Sequence, residues 1–241
     1  MIVDIGIRCF NQLEYTKRCI GSIMENTKNI PYTIFVVDNG STDGTREWLD
    51  EVALAANAEG AGRMHVIHNE KNLGSVTAIN QIILSTSHEF LLIMDNDTEI
   101  IRGDHNWLRR MVAHMTHGVG AVGAVSDNVS GFQNVTSSFT GNEFVPYLIS
   151  FCWLLNKYAI DQTGLLDEQF NPGNSEDIDY SFQLIKNGWT LKIAKDVFIK
   201  HYCSRTFKAN FDYDVLVKEN IKKLSQKWGQ GVLERAVRMS T

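Results

Sequence analysis

Two carboxylates, Asp95 and Asp97, flank Asn96 directly after the apolar run Phe90-Leu91-Leu92-Ile93-Met94. Packing explains such a triplet poorly, because two like charges this close call for a cation between or beside them. A divalent ion with oxygen ligands supplies one, and such an ion can also bridge the phosphates of a nucleotide diphosphate and stabilise the charge on a departing diphosphate. The competing account is a solvated turn with Asp97 as a helix cap. A second cluster, Asp38-Asn39-Gly40-Ser41-Thr42-Asp43-Gly44, sets a carboxylate at a strand end, where it can accept from a base N–H or a ribose hydroxyl. There a turn closed by Asp38 and a helix capped by Asp43 explain the residues equally well. A third cluster, Glu176-Asp177-Ile178-Asp179, opens a helical pattern. One of its carboxylates can serve as a proton acceptor, while capping and the helix dipole compete as explanations for all three.

These clusters need elements to hold them. Ile2 to Ile7 reads as a strand, followed by a helix with Leu13, Ile20, Ile23, Met24 and Thr27 on one face, then a strand over Tyr32 to Val37. A helix carrying Trp48, Leu49, Val52 and Leu54 leads to a strand at Met64 to Ile67, and a helix striped with Val76, Ile79, Ile82 and Ile83 leads to Phe90 to Met94. Such alternation predicts βαβ units in a mostly parallel sheet covered by helices on both faces, with ligands gathering at the carboxyl ends of the strands. Three strands end in polar groups there: Arg8-Cys9-Phe10-Asn11, the Asp38 turn, and Asp95-Asn96-Asp97.

Beyond residue 100 the rhythm loosens. A helix is expected over Trp107 to His117, a strand over Gly120 to Val125, and a polar loop over Ser126 to Asn142. Val145 to Leu155 is expected to return to the sheet, Asp177 to Lys186 to be helical, and Trp189 to His201 to supply two short strands. Residues 212 to 229 read as a helix with Leu216, Val217, Ile221 and Leu224 on its apolar side.

With 241 residues, 44% of them apolar, and only three prolines, the chain has material for one substantial core and no evident linker. A formal charge of -5 disfavours a chain that coats a polyanion, leaving at most a local basic patch at Lys200, Arg205 and Lys208. Cys9, Cys19, Cys152 and Cys203 share no CxxC spacing, which fits buried reduced thiols. No leader pattern and no apolar run of membrane-spanning length is seen, so a cytoplasmic location without stable membrane insertion is expected.

The ordered motifs resemble family 2 of the GT-A-fold glycosyltransferases across roughly Ile2 to Phe207. They are Phe10-Asn11, the Val37 to Gly44 segment, Asn72, Gly74 and Asn80, Asp95 to Asp97, and Gly164, Asp167, Glu168 and Phe170. Glu176, Asp177 and Asp179, then His201, then Ser204, Thr206 and Phe207 complete the series. The resemblance implies an α/β fold of GT-A type, a Rossmann-like, mostly parallel central sheet flanked by helices with a small antiparallel portion on the acceptor side. It implies a single domain over residues 1–241: a nucleotide-binding half at 1–98, an acceptor-binding half at 99–208 and a C-terminal helical segment at 209–241.

Carried over residue by residue, it implies that Asp38 recognises the nucleobase and that Cys9, Phe10, Asn11, Asn72 and Gly74 line the nucleoside pocket. Asp95 and Asn96 would lie at the ribose or near the metal, Asp97 and His201 would ligate a divalent ion (Mn2+ or Mg2+), and Asp177 would be the general base. Glu176 and Trp153 would face the acceptor, core packing being the competing account of the indole. The implied reaction is a single displacement that inverts the anomeric centre of a nucleotide-diphosphate-sugar, with a UDP-sugar favoured. The acceptor, whether glycan, lipid carrier, protein or modified nucleobase, and the oligomeric state stay open. Arg8-Cys9 departs from the Pro or Val then Thr that often precedes the Tyr/Phe-Asn pair. Two alternatives are a sugar-phosphate nucleotidyltransferase, of whose signature only Arg8 is present, and a non-catalytic nucleotide-sugar-binding relative, expected to lack one of Asp97, Asp177 or His201.

Overall fold

In the computed structural model, β1 (Val3–Cys9), α1 (Leu13–Asn26), β2 (Tyr32–Asp38), α2 (Thr45–Ala58), β3 (Arg63–His68), α3 (Ser75–Ser85) and β4 (Phe90–Asp95) alternate as the apolar periodicity predicts. β1 pairs in parallel with both β2 and β4, and β2 with β3. The structure describes residues 1–58, 63–139, 144–202 and 212–231. Cys203, Ser204, Arg205, Thr206, Phe207 and Lys208, together with the end of the 126–142 stretch and residues 232–241, lie outside them.

The remaining elements are β5 (Thr98–Ile100), α4 (Trp107–Ala113), β6 (Val119–Val125), β7 (Cys152–Asn156), α5 (Lys157–Thr163), α6 (Glu176–Lys186), β8 (Thr190–His201) and α7 (Tyr213–Trp228). The sheet order is β3-β2-β1-β4-β7-β6-β8-β5. The order reverses between β1 and β4, so α1 and α3 leave on opposite faces and a crevice opens at the carboxyl ends of these strands. β7 runs antiparallel to β4 and β6, and β5 antiparallel to β8, giving the antiparallel portion. Each face has its own core: Ile20, Ile23, Leu49 and Trp107 pack on one, and Val76, Ile79, Ile83, Tyr180 and Leu224 on the other.

Three local expectations change. The two short strands over 189–201 are one strand of 12 residues, β8, bent by a register shift against β6 between Ala124 and Val125. The return to the sheet is only Cys152–Asn156, because the amides of Leu148, Ile149 and Ser150 donate to the side chains of Ser181, Gln133 and Asp177 instead of to a neighbouring strand, and Asn156 then caps α5. The turn after β4 continues into β5, which brings Thr98 opposite His201.

Two contacts fix the loops that face the crevice. Asp43 accepts from Thr45 N at 3.2 Å, starting α2, and from Leu13 N at 3.0 Å, starting α1. Burial opposes its charge, but these amides and the Thr45 hydroxyl outweigh it and hold the Asp43 pKa below its ordinary value. Gly74, at φ +91°, lies so close to Asn171 that a Cβ would overlap Asn171 Oδ1, which accepts from Val76 N at 3.1 Å. α3 is thereby joined to the segment that precedes α6. Among the described residues no helix is long and apolar enough to cross a membrane.

Candidate active site

A cleft of about 420 Å3 opens where the sheet order reverses. Arg8, Cys9 and Phe10 at the end of β1 and Asp95, Asn96 and Asp97 at the end of β4 form one side, with Asn39, Asn72 and Ser75 beyond them. Glu176 and Asp177 at the start of α6, Ile149 to Phe151 before β7, Asn128, His201, and Val217 and Ile221 of α7 form the other. The structure thus brings Cys9, Phe10, Asn72, Asp95, Asn96, Asp97, Glu176, Asp177 and His201 to one cavity.

Four expected site residues do not line it. Trp153 is fully buried because strand alternation turns its indole toward α6, where it meets Tyr180 edge-on at 5.9 Å; the acceptor-facing expectation is corrected to core packing. Asp38 is fully buried, and its oxygens accept from Ser41 N at 2.9 Å and pair with His68 Nδ1 at 3.0 Å. Asn11 ties two turns together, donating from N to Ser41 Oγ and accepting on Oδ1 from Thr42 N. Gly74 lies behind Asn72, whose Oδ1 accepts from Gly74 N and Asn39 Nδ2. In this structure Asp38, Asn11 and Gly74 shape the cleft from outside its wall.

Asp95, Asp97 and His201 offer three ligand atoms within 4.8 Å of one another. β5 pairing with β8 carries His201 to this point, and Tyr202 N donates to the Asp97 carbonyl at 2.9 Å. His201 Nδ1 lies 3.2 Å from the Asn128 carbonyl, which can only accept, so Nδ1 carries a proton. Asn128 Nδ2 donates back to the His201 carbonyl, and Phe151 stacks on the imidazole at 5.1 Å. Nε2, the remaining nitrogen, is buried and makes no hydrogen bond, although Asp97 Oδ1 lies 3.3 Å and Asp95 Oδ2 3.6 Å away. An orphaned imidazole nitrogen facing two carboxylates is the donor set a divalent ion uses, with the other nitrogen fixed by a carbonyl. Burial opposes the imidazolium, but both carboxylates outweigh it and push the His201 pKa up to about 10. The pocket therefore calls for positive charge between these side chains, and a metal ion meets that demand.

Burial likewise opposes the Asp95 carboxylate, yet the Arg8 guanidinium, 2.6 Å away, and His201 hold its pKa below the ordinary value. Across the cleft the balance tips the other way. Burial raises the Asp177 pKa even though Oδ2 accepts from Ser150 N at 3.1 Å and Oδ1 from Ile178 N at 2.8 Å. Burial and then the neighbouring Asp177 charge push Glu176 up to about 8. A carboxyl whose folded pKa exceeds its unfolded value binds extra protons when folded, so stability falls as pH rises from about 4.5 through about 8. Glu176→Gln is expected to flatten this dependence, raising the thermal midpoint by a few degrees at pH 8.5 and by little at pH 5. Melting curves of both proteins at the two pH values check this.

α7 bolts in place α6 and the loop that leads into these carboxylates. Buried Asn220 donates from Nδ2 to the carbonyls of Gly173 and Asn174 at 2.9 Å and Phe170 at 3.3 Å. Lys227 pairs with Asp167 and Asp179 at 2.7 and 2.9 Å, and Trp228 Nε1 donates to Asp179 at 2.7 Å. Asn220→Ala strands those carbonyls and is expected to cost about 2–3 kcal/mol, read from urea denaturation. Sequence reasoning missed Asn220, Asn128 and the Ser150 amide. A polar residue on an otherwise apolar helix stripe was the one signal for Asn220, and a backbone amide leaves none.

The model of the family described as "Glycosyl transferase family 2" matches residues 4–164, more than half of the chain. A glycosyltransferase, AglE of Haloferax volcanii, is 28% identical over 123 residues, covering 50% of this chain and 38% of the relative. An uncharacterised protein, y4gI of Sinorhizobium fredii, is 30% identical over 126 residues, covering 51% of this chain and 13% of its own. The chain thus spans well under half the length of these curated relatives. Among solved structures, the mannosyltransferase PcManGT of Pyrobaculum calidifontis, in complex with GDP-Man and Mn2+, superposes with a TM-score of 0.68 at 17% identity, over 85% of this chain and 57% of that one. TarS 1-349 of S. aureus in complex with UDP-GlcNAc gives a TM-score of 0.67 at 16% identity, over 88% and 62%. The sheet order with its switch at β1/β4 and the extent of the family match lead to one conclusion: the chain belongs to glycosyl transferase family 2 and has the GT-A fold.

Proposed function

We propose that this domain transfers a sugar from a nucleotide-diphosphate-sugar to an acceptor hydroxyl with inversion, using a divalent ion held by Asp97 and His201 beside Asp95. One observation carries the reading: a cation-demanding cluster and a buried carboxylate, Asp177, line a single cleft. When bound, the ion supplies Lewis-acid stabilisation of the departing diphosphate. Arg8 and the Nδ1–H bond of His201 orient the ligands, and the loops at Asn39 and Asn72 take the nucleoside. Asp177 accepts the acceptor hydroxyl proton on the side of the sugar away from the diphosphate, and the backbone amides of Ser150 and Ile178 hold the carboxylate in position. A single attack from that side inverts the anomeric carbon.

Mn2+ is favoured over Mg2+ by the nitrogen ligand. PcManGT with GDP-Man and Mn2+ and TarS with UDP-GlcNAc support the donor class, with UDP first in line. In this reading residues 1–98 carry the nucleotide and 99–208 the acceptor. Buried free Cys9, Cys19 and Cys152 support a reducing, cytoplasmic setting. The test is donor hydrolysis and calorimetric binding across UDP-, GDP- and dTDP-sugars, with Mn2+ or with chelator. Metal-independent turnover would overturn the mechanism.

A further inference from the structure

Arg8 lies in the cleft between the two groups the reaction needs, and part of its guanidinium is unsatisfied. Nη2 pairs with Asp95 Oδ1 at 2.6 Å and sits 3.5 Å from Ser150 Oγ, whereas Nη1 is buried with no hydrogen-bond partner. Glu176 Oε2 is buried, unpaired and part of the same cavity. Leaving either atom unmatched is unfavourable, so both call for a ligand atom. Nη1 can only donate, whereas Oε2 accepts when ionised and donates when protonated. A neutral hydroxyl matches the chemistry of each, because its oxygen can accept from Nη1 and the group can bond Oε2 in either state. A phosphate oxygen would suit Nη1 but not an ionised Oε2 beside it, so the pair favours a neutral hydroxyl over an anionic oxygen at this point of the cleft.

We propose that Arg8 is a specificity-determining residue that, together with Glu176, holds a hydroxyl of the transferred sugar between the Asp95/Asp97/His201 cluster and Asp177. The inference rests on the glycosyl-transfer reading. Within it the diphosphate sits at Asp97 and His201 and the acceptor hydroxyl at Asp177, so the space between belongs to the sugar that changes partners.

The test is calorimetric binding of UDP, UDP-GlcNAc, GDP and GDP-mannose with Mn2+ to wild type, Arg8→Lys and Arg8→Met. Arg8→Lys keeps a cation beside Asp95 but loses the second arm of the fork, and guards against a misfolded Arg8→Met. For the pair that wild type binds, the ratio of sugar-nucleotide to bare-nucleotide Kd is expected to rise about tenfold in both variants. In Arg8→Lys the bare-nucleotide Kd is expected to change less than about twofold. A parallel loss of both affinities in Arg8→Lys would show that Arg8 only orients Asp95, and an unchanged ratio would show no sugar contact; either overturns the proposal. Wild type binding none of these four ligands and none of the other UDP-, GDP- and dTDP-sugars refutes the donor reading itself, a result distinct from any change in the variants.

Discussion

Asp177→Asn is expected to lower kcat by about 10²–10⁴-fold, the usual range for loss of a general base. Sugar-nucleotide Kd is expected to stay within about twofold, because Asp177 acts on the acceptor side. Asn keeps the side-chain volume and one oxygen for Ser150 N or Ile178 N, so the fold survives the change. The wild-type pH profile adds an independent sign. The base works only when ionised, and burial raises its pKa above the ordinary 3.8, so activity is expected to fall with decreasing pH at a higher pH than for an exposed aspartate. That acid limb should disappear from the residual activity of Asp177→Asn. A limb that persists unchanged would assign it to another group, and full activity in the variant would remove Asp177 from the chemistry.

The same carboxylate shows how far a sequence can be read. The β/α alternation through Asp95 was legible because each strand is a short apolar run and each helix a clean stripe, which is what burial on two sheet faces demands. Candidate site residues at strand ends stood out for a related reason: a charge directly after a buried strand is poorly explained by packing. Asp97, Asp95 and Asp177 do share one cleft. Trp153 failed because a residue inside a strand is directed by alternation, and one register step decides between core and cleft. Asp38 sits at a strand end, yet its oxygens are taken up by Ser41 N and His68, a partner 30 residues away that no local pattern reveals. The Arg8–Asp95 pair follows from the β1/β4 register, so it became visible only once the strand order was known.

The largest effect expected at the other end of the cleft is that of Asp97→Asn. If Asp95, Asp97 and His201 were merely an ion-pair cluster, this change would alter stability and leave the response to Mn2+ and nucleotide untouched. If they hold a cation, wild type at about 100 times Kd of nucleotide with Mn2+ should gain about 2.7 kcal/mol, a thermal shift of roughly 5–10 °C. Asp97→Asn should lose nearly all of that shift and about 10²–10³-fold in kcat/KM. His201→Ala should do the same, since it removes the Nε2 that faces the two carboxylates at 3.3 and 3.6 Å. Asn128→Ala is the graded case. It removes only the bond from Nδ2 to the His201 carbonyl and leaves the Asn128 carbonyl that fixes the ring, so a loss in metal affinity of about tenfold is expected rather than its abolition. Mn2+ titration ordering the proteins as wild type, Asn128→Ala, then Asp97→Asn and His201→Ala together would tie the cation to this triad, because an ion-pair cluster predicts no order at all.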